Sequence, residues 1–406
     1  MNVNRDSKNE VVISMNILIY VKKSKLRPIG GPIGYCYNIL QEKIVSKDGE
    51  VTFLDRALYR KTAFPFLAIN RMRAAIYTNL LHKSKEFSNV KNCKYDSMHA
   101  NKVDLSNYDI VHFHSTHDLY GAKKELKSYK GTVLLTSHSP KVLYKEIIED
   151  VITYDEYIGN KIVFDSAEEF DYYAFKRADY IIFPCPGAEE PYYHSWPKYA
   201  ELRDEKKIRY IPTGILPVEC KKTREEIRNE LNIPQDAIVL SFVGRHNEVK
   251  GYDILQEIFS KLNNVYVVCC GNIGSIQPPE SNRWIEIGWT TDPYSYVGAS
   301  DIYMLPNRET YFDIAMLQTL SIGKCSVISN TGGNKEFTNT PGVELYDSID
   351  EAVQCIKHFI DMDTEERNRL ENLQRKEFEE KYTIEVFYKN YKKTLRELMK
   401  EKNNNG

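Results

Sequence analysis

Short apolar runs alternate with longer amphipathic stretches along most of the chain. The first series comprises Met15–Val21, Ile110–His114, Val133–Ser137, Tyr180–Phe183 and Arg209–Ile211. Each run has strand length, is rich in β-branched or aromatic residues, and leads into a turn or the start of an amphipathic helix. That alternation predicts parallel strands joined by crossover helices, hence an α/β fold. A second series comprises Ala237–Val243, Val265–Cys270, Trp284–Ile287, Ile302–Leu305 and Ser326–Ser329, with Thr213–Pro217 between the two as the expected linker. The expected division is one domain over residues 1–214, a second over 215–380, and a terminal helix over 381–406 that packs back on the first. Within Thr364–Lys400, Phe387, Tyr391, Leu395 and Leu398 recur at helical spacing. Residues 1–10 are polar and expected to fray, and Asn403–Asn405 is a short polar tail.

Charge changes this picture in one respect. The whole chain has a formal net charge of −2, which argues against a nucleic-acid binder. Residues 1–130, however, carry 22 Lys+Arg against 12 Asp+Glu, and the remainder carries 33 against 45. The first third is therefore basic and suits an anionic partner such as a phosphate, a lipid surface or an acidic glycan. The 8 cysteines form no C-x-x-C pair and read as buried free thiols in a reducing compartment. No run approaches the ~18–20 apolar residues of a spanning helix, so the expectation is a cytoplasmic protein, with peripheral contact at the inner face of a membrane left open.

The candidate chemistry begins after the first strand of the second series. Gly244-Arg245 ends that strand, and Lys250-Gly251 opens the amphipathic run of Tyr252, Ile254, Leu255, Ile258 and Phe259. A strand end feeding a glycine, two cations and a helix start suits an anion, because backbone N–H groups and full charges face it together. Pro306–Asp313 likewise follows a strand and precedes the apolar helix Ile314–Leu320, which ends near Gly323. A third strand-end loop, Asn330–Glu336, carries Gly332 and Gly333. In open α/β sheets ligands bind at such carboxyl ends.

The order F-V-G-R…K-G, then L-P-N-R-E…L-Q-T-L-S-I-G, then S-N-T-G-G-N-K-E resembles glycosyltransferase family 4 of the GT-B class. Asp109–His112, Thr136–His138, Ala178-Asp179 and Ile211–Gly214 extend the resemblance over most of the chain. It implies two Rossmann-like domains facing across a cleft, and transfer from a nucleotide sugar with retention at the anomeric carbon. The same resemblance implies that the attacking acceptor enters on the leaving-group side and that the phosphate itself can take the proton. It further implies that Arg245 and Lys250 bind the donor diphosphate, and that Gly30, Gly31, Gly244, Glu309, Thr310, Tyr311, Phe312, Asp313, Ile314, Gln318, Gly332 and Gly333 line the donor site. The family's acidic pair is out of register here. Its second glutamate falls on Gln318 and its first on Thr310, while Asp313 stands where the family has glycine. The sugar contact is open among Glu309, Asp313 and the backbone of Phe312–Ile314. Asp313 is favoured as a catalytic-site group because it lies at the helix start.

The first domain is expected to hold the acceptor. Its glycine-rich turn, Pro28–Tyr35, is not a G-x-G-x-x-G dinucleotide fingerprint. His112 and His114 share a strand face, but with His117 they lack the acidic or cysteine company of a metal site. His138 ends a strand where the resembled family lines its sugar pocket with histidine, and is read as catalytic. Tyr35, His114 and Ser139 are read as acceptor contacts. Arg56, Arg60, Lys61, Arg71 and Arg73 are interleaved with Leu58, Tyr59, Phe64, Phe66, Leu67, Ile69, Ile76 and Tyr77, and interrupted by Pro65. This stretch fits either an anionic membrane and lipid-linked acceptor or a buried helix pair.

No cofactor or metal is expected, since two cations and a helix start already oppose the leaving charge. The one D-x-D, Asp361-Met362-Asp363, reads as solvated surface. The expected donor is an NDP-sugar, UDP foremost, carrying a hexose or N-acetylhexosamine. The expected product is a bacterial surface polysaccharide such as capsule or exopolysaccharide. Two rivals stand beside this: a non-catalytic partner subunit of the same fold, motivated by Gln318, and an NAD-dependent Rossmann enzyme, disfavoured by the missing fingerprint. Oligomeric state is not legible.

Overall fold

The computed structural model describes residues 14–22, 26–27, 31–55, 59, 64–99 and 103–405. Residues 1–10, Pro28, Ile29, Gly30, Arg56, Leu58, Arg60 and Lys61, singled out above, lie outside the described residues. Two compact units result. One comprises Met1–Phe183, Tyr192–Ile211 and Lys389–Gly406; the other comprises Pro184–Pro191 and Pro212–Tyr388. The chain thus leaves the first unit over residues 184–191, a detour that a division into consecutive blocks did not contain, and returns to it from Lys389 onward.

The first unit is a parallel sheet of β1 (Ile17–Tyr20), β2 (Val51–Phe53), β3 (Ile110–Phe113), β4 (Thr132–Leu135), β5 (Tyr180–Phe183) and β6 (Ile208–Tyr210), in the order β2-β1-β3-β4-β5-β6. Its helices include α1 (Gly31–Val45), α2 (Phe64–Ala75), α3 (Lys85–His99) and α4 (Glu168–Arg177). Pro65 lies in the first turn of α2 rather than breaking it, a position where a missing N–H costs nothing. No residue of α2 is buried, so the alternative of a buried helix pair does not hold there. Strands β1, β3 and β4 are buried at every position, as expected of parallel strands covered on both faces.

The second unit is a parallel sheet of β7 (Ile238–Val243), β8 (Val265–Cys270), β9 (Trp284–Gly288), β10 (Ile302–Leu305), β11 (Ser326–Ser329) and β12 (Val343–Tyr346), in the order β12-β11-β10-β7-β8-β9. Its helices include α5 (Tyr252–Ser260), α6 (Ile314–Ile322), α7 (Ile349–Asp361) and α8 (Thr364–Lys381), and α9 (Ile384–Asn405) runs on into the first unit. The residues expected as a linker are fixed: Ile215 N–H donates to Tyr382 O at 2.8 Å. The D-x-D has a structural job, since the Asp363 carboxylate caps α8 by accepting the Glu366 N–H at 2.8 Å. Strands β2 and β12 are additions to the strands read from the sequence. Among the cysteines, Cys220 is exposed and Cys93 and Cys355 are half-buried, against the expectation of uniform burial.

Each unit has a buried charge that ties its own elements together. In the second, the Arg228 guanidinium donates to Ala299 O, Pro234 O, Gln235 O and Ala237 O, and pairs with Asp301 at 2.9 Å. Asp301 also accepts the Val239 N–H at 2.8 Å, tying the start of β7 to the start of β10. In the first, Lys392 of α9 is buried against Asp48 at 2.8 Å and against Glu50 beside β2. Breaking such a pair on one side leaves a charge without compensation. Asp301→Ala is therefore expected to cost about 3–5 kcal/mol in chemical denaturation; a loss under about 1 kcal/mol would show that the backbone carbonyls alone satisfy Arg228.

Candidate functional site

In the second sheet the chain starts at β7, builds outward through β8 and β9, then crosses to β10 on the other side of β7. The β7 and β10 exits therefore diverge and leave a crevice, the topological switch point of an open sheet. Two loops border it. The first, Gly244–Gly251, ends with Gly251 at φ 64°. A Cβ there would stand 1.7 Å from the Pro306 carbonyl oxygen, so only glycine lets the two loops meet. The second, Pro306–Asp313, ends at the amino terminus of α6.

Lys250 and Asp313 join across the crevice, Nζ to Oδ2 at 2.5 Å. Asn307 Nδ2 donates to the same oxygen at 2.8 Å. Asp313 Oδ1 accepts the Ala315 N–H at 3.0 Å and so caps α6. Burial alone would push the Asp313 carboxyl up; the Lys250 charge and these hydrogen bonds outweigh it and hold the group below its ordinary value. Both carboxylate oxygens are thus engaged within the protein, unlike the open sugar contact expected from the sequence. Arg245 is exposed and has no side-chain partner among the described residues.

The third loop packs on the second. Gly333 N–H donates to Thr310 O at 3.1 Å, and a Cβ on Gly332 (φ 47°) would stand 2.2 Å from that same oxygen. Ser329 Oγ donates to Asn307 O at 2.6 Å, and Asn334 Nδ2 donates to Ser329 O at 3.0 Å. Phe312 is buried and stacks on Phe337, with ring centroids 5.7 Å apart. Thr310 is buried, while Glu309, Tyr311 and Ile314 are half-buried. Gln318, one helical turn into α6, accepts a hydrogen bond from the Tyr294 hydroxyl at Oε1.

Asn307, Tyr294, Ser329 and Asn334 escaped sequence reasoning, although Asn307 sits inside a loop already singled out. So did His246, which lies in the Gly244–Gly251 loop. It is buried, stacks on Tyr252 at a centroid distance of 4.0 Å, and approaches Glu286 at 3.3 Å. Arg308, a cation of the Pro306–Asp313 loop, is held by Asp253 at 2.7 Å.

In the first sheet the corresponding switch lies between β1 and β3, where the order reverses. At the carboxyl ends of β3 and β4, His114 Nδ1 and His138 Nε2 are 3.0 Å apart. The Tyr35 ring, from α1, lies 5.3 Å from His114 and 5.0 Å from His138. His112, one layer deeper, is bonded by Thr136 Oγ1 at 2.8 Å and Tyr391 OH at 2.9 Å. Ser139 O accepts from Tyr192 OH at 3.0 Å. His114 Nε2 is buried without a hydrogen-bond partner among the described residues. Burial depresses all three imidazoles, His112 and His138 to about 3 and His114 well below its ordinary value. His117 points elsewhere, against Phe170 at 4.9 Å. Among the described residues no group of three or more His, Cys, Asp or Glu side chains is arranged to hold a metal ion.

Residues 237–361 match the family model described as "Glycosyl transferases group 1". The match runs from the residue before β7 to the last residue of α7, wholly within the second unit. The O-antigen biosynthesis glycosyltransferase WclY of Escherichia coli is 23% identical over 133 residues. That alignment covers 30% of this chain and 38% of the relative, so the chain spans well under half the length of the curated protein it matches. Among solved structures, the sucrose-phosphate synthase (tll1590) of Thermosynechococcus elongatus is similar with TM-score 0.61 at 14% identity, over 95% of this chain and 100% of that one. Anabaena Alr3699/HepE in complex with UDP and glucose gives TM-score 0.56 at 14% identity, over 94% and 99%. A glycosyltransferase from Rickettsia africae gives TM-score 0.60 at 16% identity, over 95% and 99%. At such identities the likeness is one of fold: GT-B, with two Rossmann-like parallel-sheet domains.

The neutral histidines carry a pH signature. Unfolded, each takes a proton near pH 6.5; folded, His112 and His138 stay neutral down to about 3. Their contribution to stability is whole above about pH 6.5 and is lost as pH falls below it, by about 1.4 kcal/mol per pH unit per group. Asp171, which burial pushes up to about 7, acts in the opposite sense, so the useful quantity is a difference. Between about pH 7 and pH 5, His138→Gln is expected to lose about 2 kcal/mol less than the parent chain in urea denaturation. Equal losses would place a charged imidazole at position 138.

Proposed function

We propose that this chain is a glycosyltransferase that moves a hexose or N-acetylhexosamine from a nucleoside diphosphate sugar to a glycan or lipid-linked acceptor, with retention at the anomeric carbon. The carrying observation is the meeting of Lys250 with the amino end of α6 at the switch point of the second sheet, on a loop that also carries the exposed Arg245. The group 1 family match over this unit supports it. UDP is the favoured nucleotide, in line with structural neighbours solved with UDP, UDP-glucose or UDP-2-fluoro glucose. A polysaccharide product is in line with the O-antigen relative.

Arg245 and Lys250 take the diphosphate and stabilise the charge that grows on it as the sugar leaves. Gly332 and Gly333 let backbone approach it, and Gln318 presents its amide to the ribose, braced by Tyr294. Glu309, in the same loop as Asp313, takes the sugar hydroxyls. In the first unit Tyr35, His114, His138 and Ser139 receive the acceptor; neutral imidazoles there hydrogen-bond hydroxyls without repelling cations. The reaction in this form calls on no metal or organic cofactor.

The second reading, a non-catalytic partner subunit, draws on Gln318 and on the engagement of Lys250 by Asp313. Thermal shift separates the two. UDP at about 100 times its Kd should add roughly 2.7 kcal/mol, and Arg245→Ala should abolish the response and lower any transfer rate by about 10²–10³. A folded chain stabilised by no UDP, GDP or CMP ligand would favour the partner subunit.

We further propose peripheral contact with an anionic membrane at the inner face, through α2 and the turn after it. Phe64, Met72, Leu80 and Leu81 are each at least half exposed, beside the exposed Arg71 and Lys85. Arg73 has a different task, donating to Asn92 at 3.0 Å and stacking on Tyr95. Among the described residues no helix is long and apolar enough to cross a membrane. Co-sedimentation with phosphatidylglycerol vesicles should fall about tenfold in Met72→Asp/Leu80→Asp, given ~1 kcal/mol or more per buried apolar side chain; unchanged binding would exclude this surface.

A further inference from the structure

Lys250 is not an open cation. Its side chain is 30% exposed, and its ammonium lies against the carboxylate of Asp313, a side chain that is 9% exposed. That carboxylate collects three kinds of donor: the Lys250 ammonium, the Asn307 amide at 2.8 Å, and the Ala315 N–H of the α6 amino end at 3.0 Å. A charged group, a neutral amide and a helix amino terminus converging on one oxyanion is the environment a phosphoryl oxygen would require. Arg245, across the same loop, has no such partner among the described residues.

We infer that Asp313 is an internal counter-anion standing in the diphosphate position, and that donor binding proceeds by displacing it from Lys250. The inference rests on the donor reading above. A diphosphate and the Asp313 carboxylate repel at this range, so both cannot occupy Lys250 in full. The incoming phosphate must replace the ion pair and the helix cap together. Arg245, which starts unpaired, supplies the first attraction. The cost of breaking the Lys250–Asp313 pair is subtracted from the affinity of every anionic ligand. The depressed carboxyl fits this arrangement, since the group stays ionised and competes throughout the neutral range.

Asn and Ser both cap helices, so Asp313→Asn and Asp313→Ser remove the charge while keeping α6 capped. The measurement is calorimetric titration of full-length parent, both variants, Lys250→Ala and the Lys250→Ala/Asp313→Asn pair with UDP and with inorganic pyrophosphate. The expected result is about tenfold or tighter binding in both Asp313 variants, with the gain absent when Lys250 is alanine. Binding by the variants where the parent binds nothing would support the inference equally. Unchanged or weaker binding in folded Asp313 variants, with Lys250→Ala still weakening the parent, would overturn it and leave Asp313 as a positioning residue for Lys250. Absence of binding by every folded chain would overturn the donor reading as well.

Discussion

The second unit depends on a single meeting of backbones, Gly251 against Pro306. Two central strands of a parallel sheet send their chains in opposite directions and leave a crevice, and the loops that leave β7 and β10 meet beside it because no side chain stands between them. Everything nearby follows from that approach. Lys250 precedes the glycine and so reaches the amino end of α6; Asn307 follows the proline and so reaches the same carboxylate. The polar ties from Ser329 and Asn334 then fix the third loop to the second. The site is a property of the sheet order, realised by one glycine.

The two units differ in electrostatic character. The second gathers full charges at its switch point, where an anion is the natural ligand. The first gathers uncharged imidazoles and hydroxyls, packed so deeply that a proton on any of them would be costly. A sugar hydroxyl asks for neutral donors and acceptors in fixed positions, and a diphosphate asks for cations. The proposed division of labour matches this contrast in burial and charge.

Much of this was legible in the sequence because it is local. Long buried strands announce themselves as apolar runs, and Gly244, Gly251, Gly332 and Gly333 mark loops at strand ends. Alternation placed His112 and His114 on one face, and their rings lie 4.1 Å apart. What escaped is non-local or short. β2 is three residues with one exposed, and β12 carries two half-exposed positions, so neither gives an apolar run. Asp313 looked like an open carboxylate because the lysine that engages it lies 63 residues earlier. Gln318 looked merely like a weakened glutamate until Tyr294, 24 residues before it, supplied a hydroxyl. The alternation of segments could not show that residues 184–191 leave the first unit, since that depends on which neighbour they pack against.

The last helix gives the fold an order in time. Its residues from Lys389 onward belong to the first unit, yet they emerge from the ribosome after the whole of the second. Until then Glu50 and Asp48 lack Lys392, and His112 lacks the Tyr391 hydroxyl. The first unit therefore stays incomplete through most of synthesis, although all six of its strands precede the main part of the second unit. His112 packs on His114, so the candidate acceptor pocket takes its final form only when the last helix arrives. A released chain that stops before Lys389 would keep the Lys250–Asp313 pair and lose the Tyr391 hydroxyl from His112.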